Sequence, residues 1–453
     1  MAYNFLEVER DQLYLLPPSV ADWLEEDHLA FFILDVVDQM DLESFFADYR
    51  DDGRGGCAHD PKMMVALLLY AYCVGLRSSR QIERACHVDI AFRVITANQM
   101  PDHCSIARFR QRHEDEVKYL FSSSLKLCAK AGMASLGLVA LDGTKMSAVA
   151  SLDANHSAVD LDAKIEKMFA EATAQDAEED AEFGESRGDE PPAALRGRAD
   201  RRARFEAAKK VIDEELDAER AAHEAHLEDR AAKEQASGKK LRGRKPKEPS
   251  EKARHKEPKA NTSDPDSRTM MRRGHYLQGY NAQAVANAEQ VVLAAEVSND
   301  AGDHHLLHPM IDATAASLAE AGISGRPEKL LADAGYVTEE NLAALDETKP
   351  DTFISTRILK RDPVSGRRQP HKEGSLFQQM DEKLSSEEGR AIYKRRQAII
   401  EPIFGQIKQI RGISSFKRRG LSAVDSEWKL ICATHNLLKL YRRVLAEPKL
   451  LAA

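Results

Sequence analysis

LGLVALDGTKMSAVAS, Leu136–Ser151, is where the chain changes period. Before it, apolar residues recur at helical spacing. Within it, a short β-rich run of Leu, Val and Ala ends on Asp142-Gly143. KLLADAGY, Lys329–Tyr336, repeats the pattern: an apolar strand runs into Asp333, then Ala-Gly. A carboxylate at the end of a buried strand is costly unless it is hydrogen-bonded, ion-paired or bound to a metal. Taken singly, each has a plainer reading, Asp-Gly as a hairpin turn and Asp333 as a strand end.

Downstream of Leu136 the order is α/β. GHYLQGYNAQAVAN and QVVLAAEVSND read as neighbouring strands, HHLLHPMIDATAASLAEA as a helix, then strand KLLADAGY, helix TEENLAALDE, strand TFISTRI, a polar loop and a final helical stretch. Residues 1–135 read as an all-helical module. Asp60-Pro61 opens the helix KMMVALLLYAYCVGL with a cap residue and a first-turn proline. Successive short helices, one carrying Arg108 and Arg112 on a shared face, suggest a helix-turn-helix-like DNA reader, although a solvated basic face is nearly as good a reading. Residues 152–267 break the α/β pattern. They are rich in Ala, Glu, Lys and Arg, read as a long exposed helix between Gly-Pro linkers, and so form a charged insertion between the first two strands. The α/β part is then split, 136–151 and 268–445.

A net charge of −9 does not suggest a polyanion partner, but the charge is segregated. Glu171–Glu190 holds nine acids and one base, whereas Lys239–Lys259 holds ten bases and three acids. Arg390–Arg419 holds nine bases and a single acid, Glu401. Two local fields are therefore those of an anion-binding surface. No apolar run reaches membrane-spanning length, no leader segment is evident, and the six cysteines show no CxxC spacing. These features point to a cytoplasmic protein with reduced thiols. The absence of GxxxxGK[ST] argues against ATP.

Asp142, Asp333 and Glu401 together have a sharper reading than any one of them. Three converging carboxylates repel unless a hard cation neutralises them, and Mg²⁺ or Mn²⁺ suits oxygen ligands. Two such ions serve an in-line phosphoryl transfer, with the flanking Arg and Lys on the phosphate backbone. The stretch YKRRQAIIEPIFGQIK, Tyr393–Lys408, with LLPPSVADWLEEDHLAFFILDVV, SSRQIERAC, PDHCSIARFRQRH, DPDSR and GYNAQAV, resembles the DDE-type transposases of bacterial insertion sequences that carry a Tyr-Arg-Glu-Lys signature. The signature falls on Tyr393, Arg396, Glu401 and Lys408. Its Arg-to-Glu gap is one residue longer than the family pattern, which leaves Arg395 as an alternative to Arg396. The resemblance implies a ribonuclease-H-like catalytic domain with Asp142, Asp333 and Glu401 as metal ligands. It implies cleavage of double-stranded DNA at the element ends and strand transfer by the freed 3′-hydroxyl. It also implies a homo-oligomer, such as a dimer, on DNA, with Tyr393, Arg396 and Lys408 near the DNA. The alternatives are a catalytically silent DNA-binding regulator and a nuclease that only hydrolyses.

Other motifs have plainer readings. In DHHLLHPM, His304 and His308 share a helical face, but a helix capped by Asp303 with exposed histidines is the better reading. LRGRKPK, with Arg242 and Arg244, resembles a minor-groove hook inside a basic linker. Pro402, just after Glu401, predicts either a kink there or a helix start.

Overall fold

The strand that opens at Leu138 lies at the centre of a mixed sheet. The computed structural model describes residues 19–47, 49, 58–167, 193–237, 248, 258–272, 274–356 and 371–447. In it β1 (Leu138–Ser147) pairs antiparallel with β5 (His275–Asn287) and parallel with β7 (Lys329–Ala332). β8 (Asp351–Ile354) extends the parallel side beyond β7. The long β5 carries both β4 (Arg268–Arg272) and β6 (Val292–Ser298) on its outer edge. β1 and β7 read as continuous apolar runs because Val139, Ala140, Leu141, Leu330, Leu331 and Ala332 are all buried, as strands covered on both faces must be.

The N-terminal helices are α1 (Leu29–Asp38), α2 (Glu43–Phe46), α3 (Pro61–Cys73), α4 (Ser79–Val88), α5 (Ile90–Ile95), α6 (His103–Arg112) and α7 (Glu114–Lys130). α3 starts where Asp60-Pro61 places it, with the Asp60 carboxylate accepting from the Lys62 and Met63 amides at 2.7 and 3.4 Å. It is apolar on nearly every side and correspondingly buried. After α8 (Ala193–Ser237) come α9 (Leu307–Glu320), α10 (Glu339–Ala343), α11 (Leu376–Ser385), α12 (Glu387–Tyr393), α13 (Arg395–Gly405) and α14 (Leu421–Ala446). α14 fills the space between sheet and N-terminal helices. Its Asn436 side chain accepts from the Val292 amide at 2.8 Å and donates to the Val292 carbonyl at 2.9 Å, standing in for the next strand at the edge of β6. Its Trp428 donates to the Gln283 carbonyl at 2.8 Å. One apolar core therefore runs from Ala30 to Val444, through the N-terminal helices, both faces of the sheet and α14.

The strand–helix order read from the sequence is the order observed. Two features differ from expectation. SRTMMRR supplies β4, which hairpins onto β5 with Met271 exposed, so its polar composition concealed it. The insertion is also more than an exposed helix. β2 (Asn155–Ser157) and β3 (Lys259–Asn261) pair antiparallel as its neck, and Phe205, Ala208 and Ile212 of α8 pack on Leu161 and Ala260 as a second, small core. The i, i+3, i+7 spacing of those three is an apolar stripe hidden among alanines and charges. No helix among the described residues is long and apolar enough to cross a membrane.

Candidate active site

The parallel register of β1 and β7 sets the first two acids. Leu138 pairs with Lys329, Val139 with Leu330 and Ala140 with Leu331, a constant offset of 191 residues. The same offset, carried two residues past the last pair, sets Asp142 level with Asp333, which directly follows β7. β1 does not end at Asp142 as its sequence suggested but runs on to Ser147, still paired to β5, so Asp142 lies in mid-strand where its parallel neighbour stops. Asp333 continues as cap of a short turn, its carboxylate accepting from the Gly335 amide at 2.8 Å. Burial pushes the Asp142 pKa up to about 6; the Arg396 guanidinium pulls it down, and the charge of Asp333 adds to the rise. Tyr336, buried beside these acids, has its phenol held well above its ordinary range, first by burial and then by Asp303, Asp142 and Asp333.

α12 and α13 lie across the end of β7 and the adjoining part of β1, and Tyr393, Arg396 and Lys408 hold them there. Tyr393 donates to the Ala332 carbonyl at 3.2 Å, one residue before Asp333. Arg396 pairs with the Asp142 carboxylate at 3.1 Å, whereas Arg395 is exposed. Lys408 donates to the Thr144 hydroxyl and, at 3.0 Å, to the Lys145 carbonyl. Asp142 and Thr144 alternate onto one face of β1, so Arg396 and Lys408 pin the helix to that face and Glu401 lies between the pins. Glu401 is exposed and lines a cleft of about 950 Å³ with Gly143, Thr144, Lys145, Arg272, Tyr276, Phe404 and Lys408. α13 neither starts nor ends at Pro402 but runs through it. The Ala398 carbonyl, which Pro402 cannot serve for want of an N–H, accepts instead from Gln290 Nε2 at 2.9 Å. The helix then widens into a π turn at Gln406–Ile410, where the Arg411 amide reaches the Gln406 carbonyl at 3.0 Å.

A fourth carboxylate joins the site. Asp303 was expected to cap the following helix, but the cap position of α9 is Leu306, with no side-chain bond. Asp303 Oδ1 instead accepts from Lys145 Nζ at 3.1 Å, Asn281 Nδ2 at 2.6 Å and Gln283 Nε2 at 3.0 Å. The sequence signal was there in GYNAQAV, where two amides alternate in an otherwise apolar strand and need a buried partner. His304 and His305 are exposed, and His308 turns to the Asn341 carbonyl and Lys349.

The remaining candidates disperse. Arg108 is exposed on α6; Arg112 is exposed and covers the Tyr49 ring at 4.7 Å. Arg110 is a bracket within the helices, donating to Tyr72 Oη at 3.2 Å and the Arg77 carbonyl at 2.9 Å. Arg242 and Arg244 lie outside the described residues. Within the basic stretch, Arg411 is buried against Thr434, and Arg418 pairs with Glu114 at 2.6 Å, so part of that charge serves the fold. Among the described residues, the one group of three metal-type side chains with ligand atoms within 4.8 Å of one another is Asp102, His103 and Cys104, on the surface. Asp142, Asp333 and Glu401 are not drawn that close, and Arg396 occupies one side of Asp142. The donor set still fits a hard divalent cation. It offers only carboxylate oxygens, two of the acids are level on neighbouring β1 and β7, and burial, with the charge of Asp333, holds one of them above its ordinary pKa despite Arg396.

Two family descriptions match the chain. Transposase domain (DUF772) covers residues 18–112, and Transposase DDE domain covers residues 238–437. No curated protein and no solved structure matches.

Proposed function

The chain is a DDE-type insertion-sequence transposase, and from that premise we propose that Asp142, Asp333 and Glu401 are its catalytic acids. Enzymes of this kind cleave DNA at element ends and transfer the strand to a target with the help of divalent metal ions. The observation that carries the assignment is the level placement of Asp142 and Asp333 on adjacent parallel strands, beneath a helix pinned by Arg396. The strand order β6-β5-β1-β7-β8, three antiparallel strands followed by two parallel ones, supports a ribonuclease-H-like reading of the domain.

Asp142 and Asp333 would hold the metal, taken as two Mg²⁺ or Mn²⁺ ions, with Glu401 as the third ligand from the cleft side. When bound, the ions supply charge neutralisation at the attacking and leaving oxygens of the phosphodiester. The chain's own residues set the geometry. Arg396 orients the Asp142 carboxylate, Tyr393 fixes the helix against the end of β7, and Lys408 fixes it against β1. These three are read as positioning residues first and DNA contacts second. Arg108 on α6 is the better placed candidate for a phosphate contact, because it is exposed. Synapsis of two ends implies a homo-oligomer on DNA, a dimer being the simplest, acting without ATP on the cytoplasmic nucleoid.

An assay with end-containing duplex DNA and Mg²⁺ tests the reading. Strand joining is expected; binding without cleavage would make the chain a silent regulator, and cleavage without joining a hydrolytic nuclease. Asp142→Ala, Asp333→Ala and Glu401→Gln should each lower cleavage about 10³-fold or more while leaving duplex binding largely intact. EDTA should do the same to the wild type, and cleavage that survives it overturns the metal assignment.

A further inference from the structure

We propose that Asp303 is a fourth acid of this site, a positioning residue that holds the middle of β1 to the turn after β7 and offers its second oxygen beside Asp333 to the divalent cation. The proposal rests on the reading of Asp142 and Asp333 as metal ligands.

Three observations support it. First, Asp303 splits its two oxygens by task. Oδ1 takes all three donors, Lys145, Asn281 and Gln283. Asn281 and Gln283 are completely or almost completely buried in the middle of β5, where unpartnered amides would be costly, so a central strand carries two polar side chains to hold this carboxylate. Second, Asp303 bridges both acid-bearing segments. A Cβ on Gly143, next to Asp142, would lie 3.0 Å from Asp303 Oδ1 and 2.2 Å from Gln283 Nε2. A Cβ on Gly335, two residues past Asp333, would lie 3.2 Å from Asp303 Oδ2 and 3.0 Å from Asp333 Oδ1. The glycine in each segment thus makes room for Asp303, and Oδ2 converges with the Asp333 carboxylate on the small space over Gly335. Third, the charges leave one place uncovered. Lys145 neutralises Asp303 and Arg396 neutralises Asp142, each at 3.1 Å, while the bond found for the Asp333 carboxylate is to a backbone amide. Three aspartates against two cations, with the deficit at Asp333, is an arrangement that a divalent ion completes.

Asp303→Asn isolates the claim. The amide oxygen keeps the shape and the three bonds at Oδ1 but removes the charge and replaces Oδ2 by NH₂. Mn²⁺ alone is the probe, followed by electron paramagnetic resonance and calorimetry on the full chain without DNA, with thermal melting as the check on folding. Asp303→Asn should bind Mn²⁺ about 10-fold to 100-fold more weakly than the wild type at an unchanged melting temperature. Wild-type affinity in Asp303→Asn overturns the proposal while leaving the two-acid reading intact. Failure of the wild type itself to bind Mn²⁺ overturns both. If Asp303→Asn does not fold, Gly335→Ala decides. Its methyl group intrudes between Asp303 Oδ2 and Asp333 Oδ1 and should also weaken Mn²⁺ binding, whereas unaltered binding overturns the role given to Oδ2.

Discussion

At the scale of the residue, Asp142 illustrates a stability penalty built into a site. Its pKa of about 6 in the fold lies above the ordinary 3.8, so the fold prefers the protonated carboxyl even with Arg396 beside it. The sign follows from linkage: this preference stabilises the chain below about pH 4 and is lost as pH rises through about 6. Asp142→Asn, which is permanently neutral, should therefore be more stable than the wild type at pH 7.5, by up to about 3 kcal/mol, and no more stable near pH 4. Denaturant melts at the two pH values check this, and a variant less stable at pH 7.5 contradicts it. Added Mg²⁺ should raise the melting temperature of the wild type and leave that of Asp142→Asn nearly unmoved. Legibility differed among the acids for a physical reason. Asp142 and Asp333 stood out because each follows directly on an apolar run, and local pattern reveals that cost, although β1 itself continues past Asp142 to Ser147. Asp303 sits in a loop beside histidines, and its partners, Lys145, Asn281 and Gln283, are brought to it only by sheet pairing, so nothing adjacent in sequence marked it.

At the scale of the element, α13 shows why a signature of four residues spans sixteen positions. Tyr393, Arg396 and Lys408 each grip a different point on β7 or β1: the Ala332 carbonyl, Asp142, and Thr144 with Lys145. Arg396 and Glu401 share one helix that passes through Pro402, and the chain widens into a π turn between Glu401 and Arg411. The sequence placed the basic residues here but suggested that they face DNA, because composition cannot tell a cation on a phosphate from one on a buried carbonyl. Lys408→Met separates the two. As a pin, its loss should lower stability by about 1–3 kcal/mol and reduce cleavage, while the slope of log affinity against log salt for duplex DNA stays unchanged. A slope shallower by about one unit would make Lys408 a phosphate contact instead.

At the scale of the molecule, the N-terminal helices and the sheet behave as one body and the insertion as another. Arg77, in the loop before α4, pairs with Glu427 of α14 at 2.9 Å with both side chains buried. Gly75, in the same loop, takes a left-handed conformation at φ 85°, and a Cβ there would lie 2.5 Å from the Arg411 carbonyl. The helices that precede the sheet are thus keyed into the segment that carries Glu401 and Lys408, so whatever they grip is coupled mechanically to the acids. Among the described residues, the insertion has no buried ion pair to the main body. Its apolar contacts form a separate cluster, and it leaves the main body through the two-stranded neck, where Ser157 pairs with Lys259. That neck is fastened from below: Asn261 Nδ2 donates to the Ser151 carbonyl at 2.7 Å, and Asn155 Nδ2 to Gln278 Oε1 of β5 at 2.9 Å. Joining Ser157 to Lys259 through an Asn-Gly turn, in place of residues 158–258, should therefore close a hairpin whose two ends are already paired. Among the described residues, the retained part loses the cover over Ala260, the Lys164 contact to His156, the Asp160 contacts to Ser157 and the pair between Arg268 and Glu215 at 3.5 Å. The shortened chain should melt in one cooperative transition within about 3 °C of the main transition of the full chain and still bind Mn²⁺. A large loss of stability, or of metal binding, would show that the insertion braces β1, whose chain enters the neck at Asn155, ten residues after Lys145.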